Sequence, residues 1–324
     1  MPLRGKTAWM ISDGKAGNDV QARGVLEALG VEIIVKHVDP KGLQKVLSPW
    51  IGVSRRETFA APGTLFAPPW PDVATAIGRL TTPYVRALKK KAEDAVFTVI
   101  LQDPKVSLAT ADLFWVPEHD RLRGSNVFTT LTAPHGFSSQ RLETLRRTMP
   151  DDMARLPGPR VAVMLGGSNG DYTYTPAALD RLARILKTLA GHGVGLMITP
   201  SRRTEAAIVT CAREATEGAP RIFWDMTSDN PYPSFLAHAD VFLSPADSVN
   251  MTGEPCATGR PVYVFHPDGG SPKFQRFHAA LEKHGATRPM HDGTEPLEGR
   301  AYEPLNSAQA IADEIARRWV QRRG

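Results

Sequence analysis

A glycine-rich loop with several polar side chains follows the first strand-like segment of the 324-residue chain. Its two glycines allow a tight backbone turn, and the free N–H groups at the start of a helix attract anions. The loop therefore suits an anionic ligand, although a plain strand–helix turn capped by Asp or Asn has the same pattern. It lacks the Gly-Lys-Ser/Thr ending of a P-loop. The candidate ligand-contacting residues are Asp13, Gly14, Lys15, Gly17, Asn18, Asp19 and Gln21.

Two loops of the second half offer similar chemistry after strand-like segments. In residues 166–170, Gly167 and Ser168 combine small side chains with amides at a strand end, which suits either a phosphate or an ordinary turn. In residues 200–204, Ser201 precedes two arginines, which could clamp a phosphate by forked hydrogen bonds. Surface arginines without a ligand are also common, and of the two we single out Arg202.

Residues 247–259 form the most informative segment, because a hydroxyl-rich loop there leads into a short helical pattern. Such a loop suits a diphosphate, and an acid one or two turns further on suits the paired hydroxyls of a ribose. Glu254 is that acid. Pro255 would break a continuous helix, so we expect the helix to begin late, with Thr252 as its cap, or to be kinked. The loop residues are Asp247, Ser248, Asn250 and Met251.

Buried strands of a parallel sheet must position these loops, because short, continuous apolar runs alternate with amphipathic stretches. We predict five strands in each half, separated by helices, which indicates two doubly wound α/β lobes. A cluster of Pro, Gly and Asp places the boundary near 155, giving lobes 1–155 and 156–324, with a last helix 307–323 that can pack back on the first lobe. Residues 48–82 read as a long irregular loop. The predicted strands are 7–11, 32–38, 95–101, 113–116, 127–131, 160–165, 195–199, 221–224, 241–244 and 261–265.

Composition narrows the classes of function. The chain holds only two cysteines and no His, Cys or acidic spacing typical of a metal site, so we expect neither disulfides nor bound metal. No nucleic-acid motif accompanies the modest net charge of +5, and no signal peptide or membrane-spanning run is recognisable, so we expect a cytoplasmic protein that does not bind nucleic acid.

The positive charge is concentrated in one part of the chain. Residues 41–91 hold nine basic residues against Glu57 and Asp72. Such a segment could lie against an anionic membrane, or it could be an ordinary solvated basic face.

Several short motifs occur in the order found in one family of proteins. They are Ser12–Gln21, Gln102–Pro104, Ala133–His135, Leu165–Ser168, Pro200–Thr204 and Ala246–Val262. Together they resemble the bacterial members of the ELM-type mitochondrial-fission family. That family is similar to the GT-B superfamily, notably the glycosyltransferase that adds N-acetylglucosamine to peptidoglycan lipid precursors. The resemblance implies a GT-B-like fold, with a cleft between two Rossmann-like lobes.

The same resemblance implies roles for individual residues. Ser248 and Asn250 would hold the diphosphate, Glu254 the ribose, and Lys273 or Gln275 the donor sugar, while Gly167 and Ser168 would line the other side of the nucleotide. The donor would be a nucleotide-diphosphate sugar, and no metal or other cofactor would be required.

One departure concerns the catalytic base. Asn18 stands where the peptidoglycan enzyme and many relatives carry His, and asparagine cannot accept a proton. Asp13, Asp19 or His135 would have to replace it.

From the resemblance as a whole we predict an inverting glycosyltransferase, acting on a membrane-associated glycan or lipid-linked acceptor. The alternatives are a non-catalytic recruitment scaffold and a nucleotide-sugar epimerase, and the oligomeric state stays open.

Overall fold

The computed structural model describes residues 2–53, 59, 61–291 and 299–323. Arg55, Arg56 and Glu57 of the basic segment lie outside these residues. The chain divides into two compact units. The first runs to Ser138 and resumes at Asn306, and the second is Ser139–Leu305.

The first unit is a parallel sheet of six strands in the order β2-β1-β3-β4-β5-β6. Continuous runs of Val, Ile, Phe and Trp are buried along most of these strands, as expected where helices cover both faces of a sheet. Its elements are β1 (Thr7–Ser12), α1 (Ala16–Leu29), β2 (Glu32–His37), α2 (Gly42–Leu47), β3 (Val73–Ile77), α3 (Thr82–Ala92), β4 (Phe97–Leu101), β5 (Leu113–Pro117) and β6 (Val127–Thr130).

The second unit repeats this design, with the strand order β10-β9-β7-β11-β12-β14 and a separate two-stranded ribbon of β8 and β13. Both units are doubly wound α/β structures, which confirms the predicted fold class. The elements are α4 (Ser139–Arg146), α5 (Asp151–Ala154), β7 (Arg160–Leu165), β8 (Tyr172–Thr173), α6 (Pro176–Gly191), β9 (Gly195–Pro200), α7 (Ala206–Ala215), β10 (Arg221–Phe223), α8 (Tyr232–His238), β11 (Val241–Pro245), α9 (Val249–Gly253), β12 (Val262–Phe265), β13 (Asp268–Gly269), α10 (Pro272–His284) and β14 (Thr287–Pro289).

The short helices α4 and α5 count with the second unit, which begins at Ser139 and not near 155. Side-chain bonds explain this assignment. Arg146 Nε donates to the carbonyl oxygen of Ala237 at 3.1 Å, and Arg160 Nε donates to that of Met153 at 3.1 Å. The two helices are thereby tied to α8 and β7.

Strand β3 corrects the expectation of an irregular loop over residues 48–82. All five of its residues are buried, and it pairs with β1 on one side and β4 on the other. Its sequence, Val-Ala-Thr-Ala-Ile, holds only two large apolar residues and follows a proline-rich stretch. The apolar signal is therefore weak, although the strand is central in the sheet. Strand β14 and the ribbon were likewise not predicted from the sequence.

Each sheet has one topological switch point, which lies between two neighbouring strands whose onward connections lead to opposite edges of the sheet. It lies between β1 and β3 in the first unit, and between β7 and β11 in the second. Ligands of doubly wound sheets bind outside the C-terminal ends of the strands at such points. The loops that follow β7 and β11 are therefore the first place to look for a site.

The last helix, α11 (Ser307–Arg323), belongs to the first unit. Ile311, Ala312, Ile315 and Ala316 are buried in the core that α1 and the central strands form. Near its end, Arg322 Nη1 donates to Asp112 Oδ2 at 2.9 Å. Within the described ranges no helix has both the length and the apolar character needed to cross a membrane.

The packing of α11 predicts a large effect of truncating Ile315, whose side chain is fully buried. Replacing it with alanine should lower the free energy of unfolding by about 3 kcal/mol, because the lost methyl groups leave a cavity. Val320→Ala on the same helix is the matched control, since Val320 is 47% exposed and should change stability by less than about 0.5 kcal/mol. Equal effects in urea denaturation would contradict this packing.

Candidate functional site

Asp247 lies in the loop after β11, with only 2% of its surface exposed. Its Oδ2 accepts hydrogen bonds from the N–H of Gly167 and from Arg203 Nη2, both at 3.2 Å, and its Oδ1 accepts one from the Tyr174 hydroxyl at 2.9 Å. Burial raises the pKa of this carboxyl, and the bonds from Gly167, Tyr174 and Arg203 oppose the rise. The carboxylate thus joins the loops after β7, β9 and β11, and its partners are protein groups.

The two glycines after β7 are required by the close approach of these loops. A Cβ atom on Gly166 would lie 1.9 Å from Asp247 Oδ1, and one on Gly167 would lie 2.1 Å from the carbonyl oxygen of Arg203. No side chain larger than hydrogen fits at either position without displacing the neighbouring loop. The glycines therefore serve the packing around Asp247.

The amides of this glycine loop are engaged within the protein. The N–H of Ser168 donates to the two carboxylate oxygens of Glu205 at 3.0 and 3.3 Å, and the N–H of Gly167 donates to Asp247. Ser168 Oγ accepts a bond from the N–H of Tyr174 at 3.1 Å. The sequence led us to expect free amides here, but the loop supports the site next to it. A contact of Gly167 or Ser168 with a nucleotide stays a prediction.

A cavity of about 750 Å³ opens at the C-terminal ends of β9, β10 and β11. Among the described residues that line it, Glu254 is the only acidic one. Across the described part of the chain, no three His, Cys, Asp or Glu side chains come together where they could hold a metal ion. The lining residues are Thr199, Pro200, Ser201, Arg202, Arg203, Trp224, Met226, Asn230, Tyr232, Ser248, Asn250, Met251 and Glu254.

The two arginines after β9 have different roles. Arg203 pairs with Asp247, whereas Arg202 is exposed, lines the cavity and has no ion-pair partner among the described residues. Ser201 holds the turn that carries both arginines, because its Oγ accepts a hydrogen bond from the N–H of Arg203 at 3.2 Å. Arg202 therefore has the unpaired guanidinium of the two, and its contact with an anionic ligand stays a prediction.

Helix α9 corrects the expected position of the helix start. It begins at Val249, with Ser248 as its N-cap, and Ser248 Oγ accepts from the N–H of Met251 at 3.3 Å. Pro255 does not interrupt α9, since α9 ends at Gly253 and Pro255 begins a separate 3-10 turn. Thr252 is not the cap, and its hydroxyl instead donates to the carbonyl oxygen of Pro245 at 3.1 Å.

Glu254 and Tyr232 form a hydrogen-bonded pair at the cavity wall. The Tyr232 hydroxyl donates to Glu254 Oε2 at 2.6 Å. Burial raises the pKa of Glu254 to about 7, and the bond from Tyr232 partly offsets this rise. The carboxyl therefore changes charge close to neutral pH, while it faces a space that could hold a hydroxylated ligand.

One whole segment of the cavity wall was not predicted from the sequence, and it contributes Trp224, Met226, Asn230 and Tyr232. Trp224 directly follows β10, and its Nε1 donates to the carbonyl oxygen of Ser228 at 3.2 Å, which holds the indole in place. The sequence offered one signal for Trp224, namely its position at the end of a predicted strand. The loops after β7, β9 and β11 were recognisable from glycines, hydroxyl groups or paired arginines, whereas residues 224–230 contain neither glycine nor arginine.

Lys273 and Gln275 do not line the cavity. Both are exposed in the first turn of α10. Their predicted contact with a donor sugar stays a prediction.

In the first unit, the predicted ligand loop lies at the switch point of the sheet. Asp13 Oδ2 pairs with Lys15 Nζ at 3.0 Å. A Cβ on Gly78, which follows β3, would lie 3.5 Å from Asn18 Nδ2, so the loops after β1 and β3 are neighbours. The side chain of Gln21 is buried and accepts a bond from Gln102 Nε2 at 3.3 Å. Gly14 takes a positive φ of 76°, which glycine adopts without strain, while Gly17 lies inside α1.

The three candidate bases differ in how they are bonded. Asp13 is held by Lys15, whereas Asp19 keeps a buried oxygen, Oδ1, without a hydrogen-bond partner in the described chain. His135 is 3% exposed, and burial lowers its pKa to about 4. Its Nδ1 accepts from the N–H of Phe137 at 3.2 Å, so the neutral ring carries its proton on Nε2. That tautomer has no free lone pair to receive a proton, and the role of base suits His135 poorly.

The close packing around Asp247 predicts that Gly166→Ala destabilises the second unit. The added methyl would overlap the carboxylate, so the free energy of unfolding should fall by about 2 kcal/mol or more. Gly170→Ala is the matched control in the same loop, because no atom lies within 4 Å of its Cβ position. If urea denaturation gave the same stability for both variants, the account of this loop would be wrong.

Comparisons with solved structures support the fold. The chain resembles MurG of Acinetobacter baumannii with a TM-score of 0.51 and 16% identity, over 96% of this chain and 99% of that one. It resembles the UDP-GlcNAc 2-epimerase of Methanocaldococcus jannaschii with a TM-score of 0.54 and 10% identity, over 98% and 99% of the two chains. At these identities the likeness shows the fold alone, which is the two-lobed GT-B type.

Sequence comparison identifies the family. The mitochondrial fission protein ELM1 of Arabidopsis thaliana is 28% identical over 292 residues, which are 82% of this chain and 66% of the plant protein. The chain thus spans slightly less than two thirds of that relative's length. The family model described as mitochondrial fission ELM1 matches residues 16–319. The chain therefore belongs to the mitochondrial fission ELM1 family.

Proposed function

We propose that the cavity of the second unit binds a nucleotide-diphosphate sugar and that the protein is an inverting glycosyltransferase. The cavity itself carries the proposal. It combines an unpaired arginine, the start of a short helix, a carboxyl group of raised pKa and an aromatic ring around one space at the C-terminal edge of a doubly wound sheet. Ligands of this class of sheet bind at that edge.

Each part of such a donor has a matching group in the cavity. Arg202 supplies a forked cation for the diphosphate, next to the first residues of α9, Ser248 and Asn250. The carboxylate of Glu254 can accept hydrogen bonds from the ribose hydroxyls. The ring of Trp224 offers a stacking surface for the base, and stacking of this kind tolerates any base.

Relatives in fold make the same class of ligand plausible. The M. jannaschii protein is named as an epimerase of UDP-GlcNAc. Residues 199–203 and 248–254 of this chain supply the chemistry that a nucleoside diphosphate needs, so we expect a UDP sugar to be the first donor worth testing.

The transfer step requires a base for the acceptor. In our proposal the acceptor hydroxyl attacks the anomeric carbon while the bond from that carbon to the diphosphate oxygen breaks, and the diphosphate leaves with the electron pair. Arg202 stabilises the charge that develops on the leaving group. The hydroxyl proton passes to a carboxylate, and among the candidate bases we favour Asp19 because Asp13 is already paired with Lys15.

Two alternatives give different outcomes in the same assays. A non-catalytic scaffold predicts weak or no nucleotide binding and a protein partner. An epimerase, the activity for which the M. jannaschii protein of similar fold is named, predicts that a free UDP sugar is isomerised without an acceptor. Following UDP-GlcNAc alone by proton NMR separates the epimerase from a transferase, which leaves the free donor's sugar configuration unchanged.

Removing the unpaired arginine should weaken nucleotide binding. Arg202→Ala should raise the Kd for UDP at least about tenfold in isothermal titration calorimetry, because a charge-assisted hydrogen bond to the phosphate is lost. Lys187→Ala is the control, since it removes one positive charge from an exposed position on α6 of the same unit. If UDP, ADP and GDP all failed to bind the unaltered protein, the donor site would not exist.

Nucleotide affinity should depend on pH through Glu254. If the ionised form binds the ribose, UDP affinity should rise roughly tenfold between pH 6 and pH 8, as a group with a pKa of about 7 loses its proton. Glu254→Gln should weaken binding and remove this dependence. An unchanged pH profile in that variant would exclude Glu254 from the site.

The same carboxyl group gives stability an opposite dependence on pH. Because its folded pKa of about 7 exceeds the usual 4.5, its contribution to the stability of the ligand-free protein is fully present below about pH 4.5 and is lost as the pH rises through 7. The comparison between unaltered protein and Glu254→Gln isolates this contribution.

A further inference from the structure

The apolar side of helix α2 faces solvent, whereas the apolar side of an ordinary surface helix is buried. Leu43, Val46 and Leu47 are 76%, 67% and 43% exposed, and Trp50 in the following turn is 66% exposed. Leu43, Val46 and Leu47 follow the spacing i, i+3, i+4 and so share one side of α2, which ends at Leu47. Trp50 lies beyond the helix, and its Nε1 donates to the carbonyl oxygen of Lys105 at 3.3 Å. We call these four residues the α2 apolar face. A helix that only covered the sheet would turn this side inward.

Polar side chains occupy the inward side of α2 instead. Gln44 Nε2 donates to the Tyr84 hydroxyl at 3.4 Å, and the buried Ser48 donates from Oγ to the carbonyl oxygen of Gln44 at 2.7 Å. The helix is therefore attached through polar contacts, and its apolar side chains face solvent.

Two arginines hold this segment in place. Arg79 Nη1 donates to the carbonyl oxygens of Lys45, Val46 and Ser48 at 3.0, 3.3 and 3.0 Å. Arg86 Nη2 donates to that of Pro49 at 2.7 Å. The last carbonyl groups of α2 are thus satisfied by cations from the loop after β3 and from α3. The α2 apolar face is therefore exposed on a segment that hydrogen bonds hold in one conformation.

The charge around the α2 apolar face is positive. The described ionisable residues next to it in the chain and in its contacts are Asp39, Lys41, Lys45, Arg79, Arg86 and Lys105. Asp39 is paired with Lys41 at 3.3 Å and Lys105 with Asp103 at 2.5 Å, which leaves Lys45, Arg79 and Arg86. The surroundings therefore complement an anionic partner.

We propose that the α2 apolar face docks on an anionic lipid surface, with Leu43, Val46 and Trp50 entering the headgroup region. Basic residues beside exposed aliphatic side chains and a tryptophan are the composition of interfacial membrane segments. A stable protein interface needs roughly 20–30 residues on each side, far more than these four. The inference does not depend on the nucleotide site, and it would place the first unit at a surface where a lipid-linked acceptor is found.

Vesicle co-sedimentation of the full chain tests the proposal. The chain should bind vesicles of phosphatidylcholine with phosphatidylglycerol and bind phosphatidylcholine alone weakly. The double variant Leu43→Gln/Val46→Gln should lower partitioning at least about tenfold. Val320→Gln, at another exposed aliphatic position of the first unit, should leave it unchanged. Lys45→Gln should weaken binding more than Lys187→Gln, which removes the same charge from the second unit.

A second measurement locates the inserted side chain. Brominated lipids should quench part of the tryptophan fluorescence, and Trp50→Phe should remove most of that quenching although five other tryptophans remain. Equal partitioning of the double variant and Val320→Gln would overturn the proposal, as would equal binding to neutral vesicles. A dimer in gel filtration that the double variant abolishes, without vesicle binding, would show instead that a second copy covers this face. UDP calorimetry on the double variant keeps failure here separate from failure of the donor site.

Discussion

The carboxylate of Asp247 is buried at the switch point between β7 and β11 of the second sheet. Its hydrogen bonds hold together the loops that follow β7, β9 and β11. A buried carboxylate is costly unless donors satisfy it, and here the N–H of Gly167, the Tyr174 hydroxyl and Arg203 do so. These bonds explain the glycines after β7, which must leave room for the carboxylate. They also engage Arg203, so that of the two arginines in the cavity wall Arg202 is the one without an ion-pair partner among the described residues. The cavity therefore owes its shape to a residue that does not line it.

The fold could be predicted largely from the sequence, because strands buried on both faces appear as continuous apolar runs. Strand β3 shows the limit, since its small residues, Val-Ala-Thr-Ala-Ile, give little apolar signal and its central position comes from pairing with β1 and β4. Helix α11 could be bounded from its pattern. The assignment of α4 and α5 to the second unit could not, because it depends on contacts such as that of Arg146 with Ala237.

The site was predictable only in part. Ser248, Asn250, Met251, Glu254 and Arg202 carry signals in their types and spacing, and all five line one cavity. Trp224 and Tyr232 come from other segments of the chain, and only folding brings them to Glu254. The amide groups of Gly167 and Ser168 looked available in the sequence, yet Asp247 and Glu205 occupy them. A loop pattern gives residue types at a strand end but not which of their donors are already bonded.

The central claim is that a nucleoside diphosphate binds at the C-terminal edge of the second sheet. Hydrogen–deuterium exchange with and without UDP tests this location most directly, because it reports on every backbone amide of the chain at once. Our account predicts slower exchange in peptides that cover residues 199–203 and 248–254, with little change around β12 and α10. No protection anywhere, or protection confined to other parts of the chain, would contradict it.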